Sequence, residues 1–340
     1  LPILEAERAF SLAFVENKKL TNEEIPLIIR EKENIIKKSG FLEYYHPKET
    51  IDTIGGLDNL KEWLIKRGRG FDRGAEDFGL TSPKGILLLG VPGTGKSLTA
   101  KAIGNLWKFP LLRLDMGKIF GGIVGESESN IRQALHIAQA IAPSILWIDE
   151  IEKGLSGASS SGSTDGGTSA RVLGTFLTWM QEKTQPVFVV ATANDISQLP
   201  PELLRKGRVD EIFFVDLPTE KEREEILKIH LRKKHRKPEK FALSQIAQAC
   251  QGFSGAEIEE VIKEALFQAY DESVEVTDGH ILQAIEKTYP LSKTMSNTIK
   301  NLRQWAKSRA VLASSEEAEM IPDTANIPRL KQEEYNNPFL

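Results

Sequence analysis

Five segments of the chain read as near-continuous apolar runs: Ile86–Leu89, Leu111–Asp115, Ile145–Asp149, Val187–Ala193 and Glu211–Leu217. A strand with one wet face alternates apolar and polar residues. These do not, which predicts a parallel sheet buried on both faces. Residues between the runs recur at helical spacing, so the pattern predicts an α/β fold with helices on both faces of the sheet. After Pro218 the strands stop. Glu222–Arg232, Leu243–Cys250, Gly255–Tyr270 and Asp278–Lys287 read as helices of a small all-helical domain, and Thr298–Ser308 as one more, with Ile299, Leu302 and Trp305 on one side.

The ends differ in character. Residues 1 to about 45 show helical spacing through Ala9-Phe10, Ala13-Phe14 and Ile25 to Ile36, with a capping box in Thr21-Asn-Glu-Glu24. From about Ser314 to Leu340 the chain is polar and interrupted by Pro322, Pro328 and Pro338, as expected of a flexible tail or docking strap. Ser156 to Ser169 is a Gly/Ser tract too polar to pack, and predicts a loop beside the third strand. The expected units are therefore a helical segment over 1–48, an α/β domain over 49–217, a helical domain over 218–290, and a terminal helix and tail over 291–340. A start at Leu1 rather than Met fits a trimmed or processed piece of a longer chain.

Composition narrows the class only modestly. With 340 residues, 40% hydrophobic and 27% charged, the chain can bury more than one core. The net charge of −4 gives no reason to expect nucleic acid. A single cysteine, Cys250, excludes an internal disulfide and reads as a small core residue. No apolar run reaches the roughly 20 residues of a membrane span.

Chemistry enters directly behind the first apolar run. Gly90-Val-Pro92-Gly93-Thr94-Gly95-Lys96-Ser97 matches G-x-x-x-x-G-K-[ST], a loop that wraps phosphates. Its glycines let backbone N–H groups turn inward around an anion. Lys96 can reach the β- and γ-phosphates, the Ser97 hydroxyl can ligate Mg²⁺, and the helix beginning near Leu98 aims its positive end at the same charge. The pattern arises by accident in a chain of this length on the order of 1% of the time.

Three further groups follow at strand ends. Asp149 and Glu150 close the apolar run Ser144-Ile-Leu-Trp-Ile: the first suits the Mg²⁺ shell, the second a base that polarises water. Asn194 ends Val187-Phe-Val-Val-Ala-Thr-Ala and can hold an attacking water. Arg205 and Arg208 stand just ahead of the fifth strand, where a basic turn is the plain reading and arginine fingers offered to a neighbouring subunit are the functional one.

With these motifs in order, the chain resembles the AAA family of ATPases from about Ile51 to Lys287. The resemblance implies ATP and Mg²⁺ as cofactors, and a homo-oligomeric ring, a hexamer, with active sites between subunits. It implies that Asp52, Ile54 and Gly55, in Asp52-Thr-Ile-Gly-Gly-Leu57, form a linker touching adenine. Ile226 and His230 match lid positions that pack on the base. Gly255 and Ala256, in Gly252-Phe-Ser-Gly-Ala-Glu-Ile258, match a lid signature near base and phosphates, and Gly125-Glu-Ser-Glu128 matches a further motif. A closer likeness covers nearly the whole chain. Ser39-Gly-Phe-Leu-Glu-Tyr-Tyr45, Leu173–Lys183 and Leu302-Arg-Gln-Trp-Ala306 resemble AAA-domain proteins encoded in algal plastid genomes and cyanobacteria, the hypothetical chloroplast reading frame group. That implies a plastid stroma or cyanobacterial cytoplasm, and makes the first 45 residues the end of an upstream region. The chain departs from protein-threading relatives at Ile123, where they place an aromatic residue.

The leading expectation is ATP hydrolysis coupled to remodelling of an unidentified macromolecular client. A nucleotide-gated assembly scaffold with little turnover is the alternative. Arg232-Lys-Lys-His-Arg-Lys237 raises nucleic-acid binding, but a charge run at a helix end is usually a solvated face. No histidine begins an H-E-x-x-H, so a fused metalloprotease lacks support.

Overall fold

The computed structural model describes residues 11, 30, 33–34, 36–121, 126–155, 166–205 and 207–319. Most of the N-terminal helical reading, the tract from Ser156 to Asp165, Ile123 with Gly125, and the tail beyond Glu319 lie outside the described residues.

A 7-stranded sheet organises the rest. Its strands are β1 (Leu42–Tyr45), β2 (Gly85–Gly90), β3 (Leu111–Leu114), β4 (Ser144–Ile148), β5 (Val187–Ala193), β6 (Glu211–Val215) and β7 (Val311–Leu312), in the spatial order β1-β3-β4-β5-β2-β6-β7. All pairings are parallel except β1 with β3. The continuous apolar runs are explained by burial on both faces. Along β2, Leu87 and Leu89 enter one core with Leu146, Val189 and Phe214, while Ile86 and Leu88 enter the opposite core with Trp147, Phe188 and Phe213.

Helices cover both faces. The first core takes Ile131, Ala134 and Leu135 of α3 (Ser127–Ala140) and Phe176, Leu177 and Met180 of α4 (Gly166–Glu182). The opposite core takes Leu60 and Leu64 of α1 (Asp58–Gly68) and Ala100 and Ile103 of α2 (Lys96–Trp107). A separate apolar core joins α5 (Glu220–Lys233), α6 (Leu243–Ala249), α7 (Gly255–Asp271) and α8 (Asp278–Lys287) into the lid. Cys250 sits in that core without solvent exposure, and burial pushes its thiol up to about 12, which fits a packing residue. No helix among the described residues is long and apolar enough to cross a membrane.

Three expectations need correction. The helical reading through residue 45 fails at Leu42-Glu-Tyr-Tyr45, which forms edge strand β1: Leu42 pairs with Leu114 and Tyr45 with Leu111, a cross-strand partner the local pattern could not reveal. Strands do not end at Pro218 either. After α9 (Ser296–Ala306), whose Leu302 and Ala306 enter the first sheet core, β7 pairs with β6 through Val311 and Leu312. The terminal helix thus packs on the α/β domain, and the chain from Ser314 to Glu319 is tied down by hydrogen bonds and ion pairs. Finally, the last residues of the Gly/Ser tract, Gly166–Ser169, begin α4.

Candidate functional site

The sheet order puts the C-terminal ends of β4, β5 and β2 side by side, the position where open α/β sheets take ligands. Register then decides which side chains meet. Ile148 pairs with Ala191 and Leu89 with Ala193, so the residues that follow β4 lie level with the end of β5 and the phosphate-type loop.

That loop runs from Gly90 into α2. Gly93 adopts φ +77°, and a Cβ there would stand 2.8 Å from Ser254 Oγ. Its carbonyl accepts the Ala256 N–H at 3.0 Å, which fixes the start of α7 against the loop. Ser254 caps that helix in a reciprocal box with Glu257. Lys96 is only 5% exposed and its Nζ donates to the carbonyls of Gly90 at 2.9 Å and Val91 at 2.6 Å. Burial lowers its pKa to about 8, against the pull of Glu152, Asp149 and Glu150, which favour the charged form. A cation held this way is desolvated in advance and gains most from an incoming anion.

Across from the loop, the Ser97 hydroxyl donates to Asp149 Oδ1 at 2.7 Å, and the Thr192 hydroxyl donates to the same oxygen at 2.7 Å. The Glu150 N–H in turn donates to Thr192 Oγ1 at 2.9 Å. Ser97 and Asp149 are hard oxygen donors on neighbouring elements. They fit Mg²⁺, which keeps phosphates and waters as its other ligands. Glu150 stands at φ +47°, an uncommon backbone for a non-glycine residue, which turns its side chain out from the end of β4. Asn194 Nδ2 donates to Glu150 Oε1 at 2.9 Å, and Lys153 pairs with Glu150 Oε2 at 2.5 Å. A carboxylate oriented by an amide can align and deprotonate a water.

One cleft of about 350 Å³ brings most of these groups together. It is lined by Pro92–Leu98, Glu150, Thr192 and Asn194 on the side of the glycine-rich loop. On the other side stand Ile54, Gly55, Ile226, His230, Gly255 and Ala256, all anticipated from the sequence. Ile54 and Ile226 supply an apolar surface. His230 Nδ1 is buried without a hydrogen-bond partner among the described residues, 3.5 Å from Glu259 Oε1. Burial lowers the pKa of this imidazole, which favours its neutral form.

Several placements differ from the sequence reading. Asp52 is exposed in the turn Ile51–Thr53 and stays off the cleft, which Thr53 lines instead. Arg205 and Arg208 do not line it either. The Arg208 guanidinium donates to the Leu177 carbonyl of α4 at 2.7 Å, whereas Arg205 is exposed. Glu128 of the Gly125–Glu128 motif pairs with Arg171 at 2.5 Å. Thr192 and Glu152 were missed. Thr192 lies on β5 two residues before Asn194, which follows the end of that strand, and both line the cleft. Glu152, 3% exposed, accepts the Asn194 N–H at 2.9 Å, and burial raises its pKa.

Three family models match parts of the chain. The family model for the ATPase family associated with various cellular activities (AAA) matches residues 86–217. The AAA+ lid domain matches 240–283, and the second domain of SpoVK-like AAA ATPases matches 1–39. The chain is 49% identical over 307 residues to the "Uncharacterized AAA domain-containing protein ycf46" of Pyropia yezoensis, covering 90% of this chain and 62% of that protein. The Guillardia theta protein of the same name is 47% identical over 316 residues, 93% of this chain and 62% of its own length. A cell division cycle protein 48 homolog of Archaeoglobus fulgidus is 31% identical over 300 residues, 85% of this chain and 40% of that protein. The chain therefore spans less than two thirds of the length of these curated relatives.

Proposed function

This chain belongs to the AAA family of ATPases, and from that premise we propose that it binds Mg²⁺–ATP and hydrolyses it at sites completed by neighbouring subunits. The observation that carries this reading is the Glu150 carboxylate, held by Asn194 at 2.9 Å beside the Ser97–Asp149 pair. Lys96 binds the β- and γ-phosphates, Ser97 and Asp149 hold Mg²⁺, Glu150 deprotonates the attacking water and Asn194 orients it. Mg²⁺ held by Ser97 and Asp149 would supply charge neutralisation at the phosphates. Arg205, exposed and away from its own cleft, is the group best suited to reach a neighbour's γ-phosphate, with Arg208 beside it. The assembly is a ring, hexameric as in the family, whose lid movements remodel a macromolecular client, a protein rather than a nucleic acid. Its compartment is the plastid stroma or the cyanobacterial cytoplasm, in keeping with its algal relatives.

The test is ATP turnover per subunit measured over a range of protein concentrations, with Glu150→Gln as control. Turnover should rise cooperatively with concentration, and Glu150→Gln should lower it by about 10²–10³-fold while ATP stays bound. No turnover at any concentration would replace this reading with a nucleotide-gated assembly scaffold.

A further inference from the structure

The chain beyond β7 crosses the junction between sheet and lid. Asn59 Nδ2 on α1 donates to the carbonyls of Leu312 at 3.1 Å and Ser314 at 2.8 Å, and the Leu60 N–H donates to Ala313 at 3.0 Å. From this anchor the Ser314 hydroxyl donates to Glu222 Oε1 of α5 at 2.6 Å. Five residues on, the Glu319 carboxylate accepts from Arg223 at 3.2–3.4 Å, and its carbonyl accepts from Arg303 of α9 at 3.1 Å. Arg303 also pairs with Asp216 at 2.8 Å. Arg223, 2% exposed, donates as well to Pro218 O at 2.9 Å and Ala247 O at 2.7 Å. The connector from Asp216 to Thr219, about which a lid would turn, is gripped by two arginines that share Glu319.

Glu222 links this segment to the cleft. It is 8% exposed; Oε1 accepts both the Ser314 hydroxyl and the Leu57 N–H at 3.1 Å, while Oε2 accepts the Thr219 N–H at 2.9 Å. Glu225, one turn on, accepts the Gly56 N–H at 2.8 Å. Gly56 adopts φ +66°, and a Cβ there would collide with Glu222. Two carboxylates of the lid thus hold the backbone that follows Ile54 and Gly55, and Ile226 faces that stretch from the same helix.

We propose that residues 314–319 and Glu222 form a positioning strap that sets the width of the base end of the cleft, and thereby the affinity for the adenine part of the nucleotide. The strap touches Leu57, Thr219 and α5, and leaves the phosphate loop alone. The inference rests on reading the cleft as an ATP site.

The experiment compares two ligands, ADP and inorganic tripolyphosphate, by calorimetry with Mg²⁺ present. Glu222→Gln places an amide NH₂, which cannot accept, opposite a donor. The double variant Ser314→Ala/Glu319→Gln removes the hydroxyl donated to Glu222 and the charge facing Arg223, and leaves Glu222 in place. ADP affinity should fall about tenfold in the first and about threefold in the second, with tripolyphosphate affinity unchanged within twofold. Unchanged ADP affinity in both variants overturns the proposal. So do equal losses for both ligands, which would mark general damage. A wild-type chain that binds neither ligand overturns the nucleotide reading itself, and is recognised before any variant is made. Thermal unfolding of each variant, with Ser314→Ala alone as the mildest, separates misfolding from loss of the base contact.

Discussion

The two ends of the cleft are built on different principles. The phosphate end comes from three contiguous stretches, Gly90–Leu98, Asp149–Glu152 and Thr192–Asn194, each at the end of a strand in the middle of one sheet. The base end comes from the linker Thr53–Gly55, from Ile226 and His230 on α5, and from Gly255–Ala256 at the start of α7. Its parts share no sheet. They are held together by side chains such as Glu222 and Glu225, acting across more than 160 residues of sequence. On the proposed reading, charge and backbone N–H groups fixed by strands would give a rigid anion site, whereas the base end would be set by how lid and sheet lie against each other. Damage to the first should cost orders of magnitude, and damage to the second should cost about tenfold.

The sharpest way to break this comparison is Lys96→Ala. Removing the one cation inside the loop should weaken ADP and tripolyphosphate alike by about a hundredfold or more, because a charge-assisted contact in a desolvated site is lost. Calorimetry with both ligands checks it. A loss confined to ADP would mean that Lys96 serves the base end, contrary to its place beneath Gly90 and Val91.

Next come the two arginines, which belong to neither end of their own cleft. Arg205→Ala should leave ADP binding intact and lower turnover by about 10³-fold or more, the scale of a missing arginine finger. Arg208→Ala should cost less, since that guanidinium is engaged by the Leu177 carbonyl of its own chain. Mixing Arg205→Ala with Lys96→Ala subunits should restore part of the turnover, because each supplies what the neighbouring site lacks. Mixtures no more active than the separate variants would place the arginines outside any shared site.

At the base end, Gly55→Ala is the matching probe. The added Cβ would stand 2.7 Å from Ile226 Cγ1 and 3.0 Å from its backbone nitrogen, so α5 must retreat. Overpacking of this kind costs about 1–3 kcal/mol. The expected result is an ADP affinity about tenfold lower and a raised KM for ATP, with kcat held. A fall in kcat of the same size would show that the two ends are not independent.

The same contrast explains what is legible in the sequence. That Pro92–Leu98, Glu150 and Asn194 come together was legible because loop and strand ends are local: spacing along the sequence is spacing in space. Five strands were legible because burial on both faces leaves apolar runs. Strands β1 and β7 were not. Leu42–Tyr45 follows a helical pattern and becomes a strand only through Leu111–Leu114, and Val311–Leu312 offers two residues of signal beside Phe213 and Phe214. Asp52 was misplaced by one residue, because the turn Ile51–Thr53 exposes it and leaves Thr53 on the cleft. Glu222 and Glu225 look like the solvated face of a charged helix, and nothing local announces that they receive the linker's N–H groups.

The smallest expected effect is a pH dependence confined to the phosphate end. Lys96 in the free protein titrates near 8, depressed by burial and partly restored by Glu152, Asp149 and Glu150. Below that value it is charged and ready for phosphate; above it, binding must take up a proton. Affinity for tripolyphosphate should therefore fall about fourfold between pH 7 and pH 8.5, the drop in the charged fraction of a group titrating at 8. Calorimetry in buffers of different ionisation enthalpy should register proton uptake at pH 8.5 and almost none at pH 7. The sign for folding runs the other way: between about 8 and the ordinary lysine value the unfolded chain binds the extra proton, so this group makes the ligand-free fold more stable as pH rises. Gly55→Ala should leave the slope untouched, since it acts at the other end. A pH slope that changed with Gly55→Ala would tie Lys96 to the position of α5, and the division between a rigid phosphate end and an adjustable base end would fail.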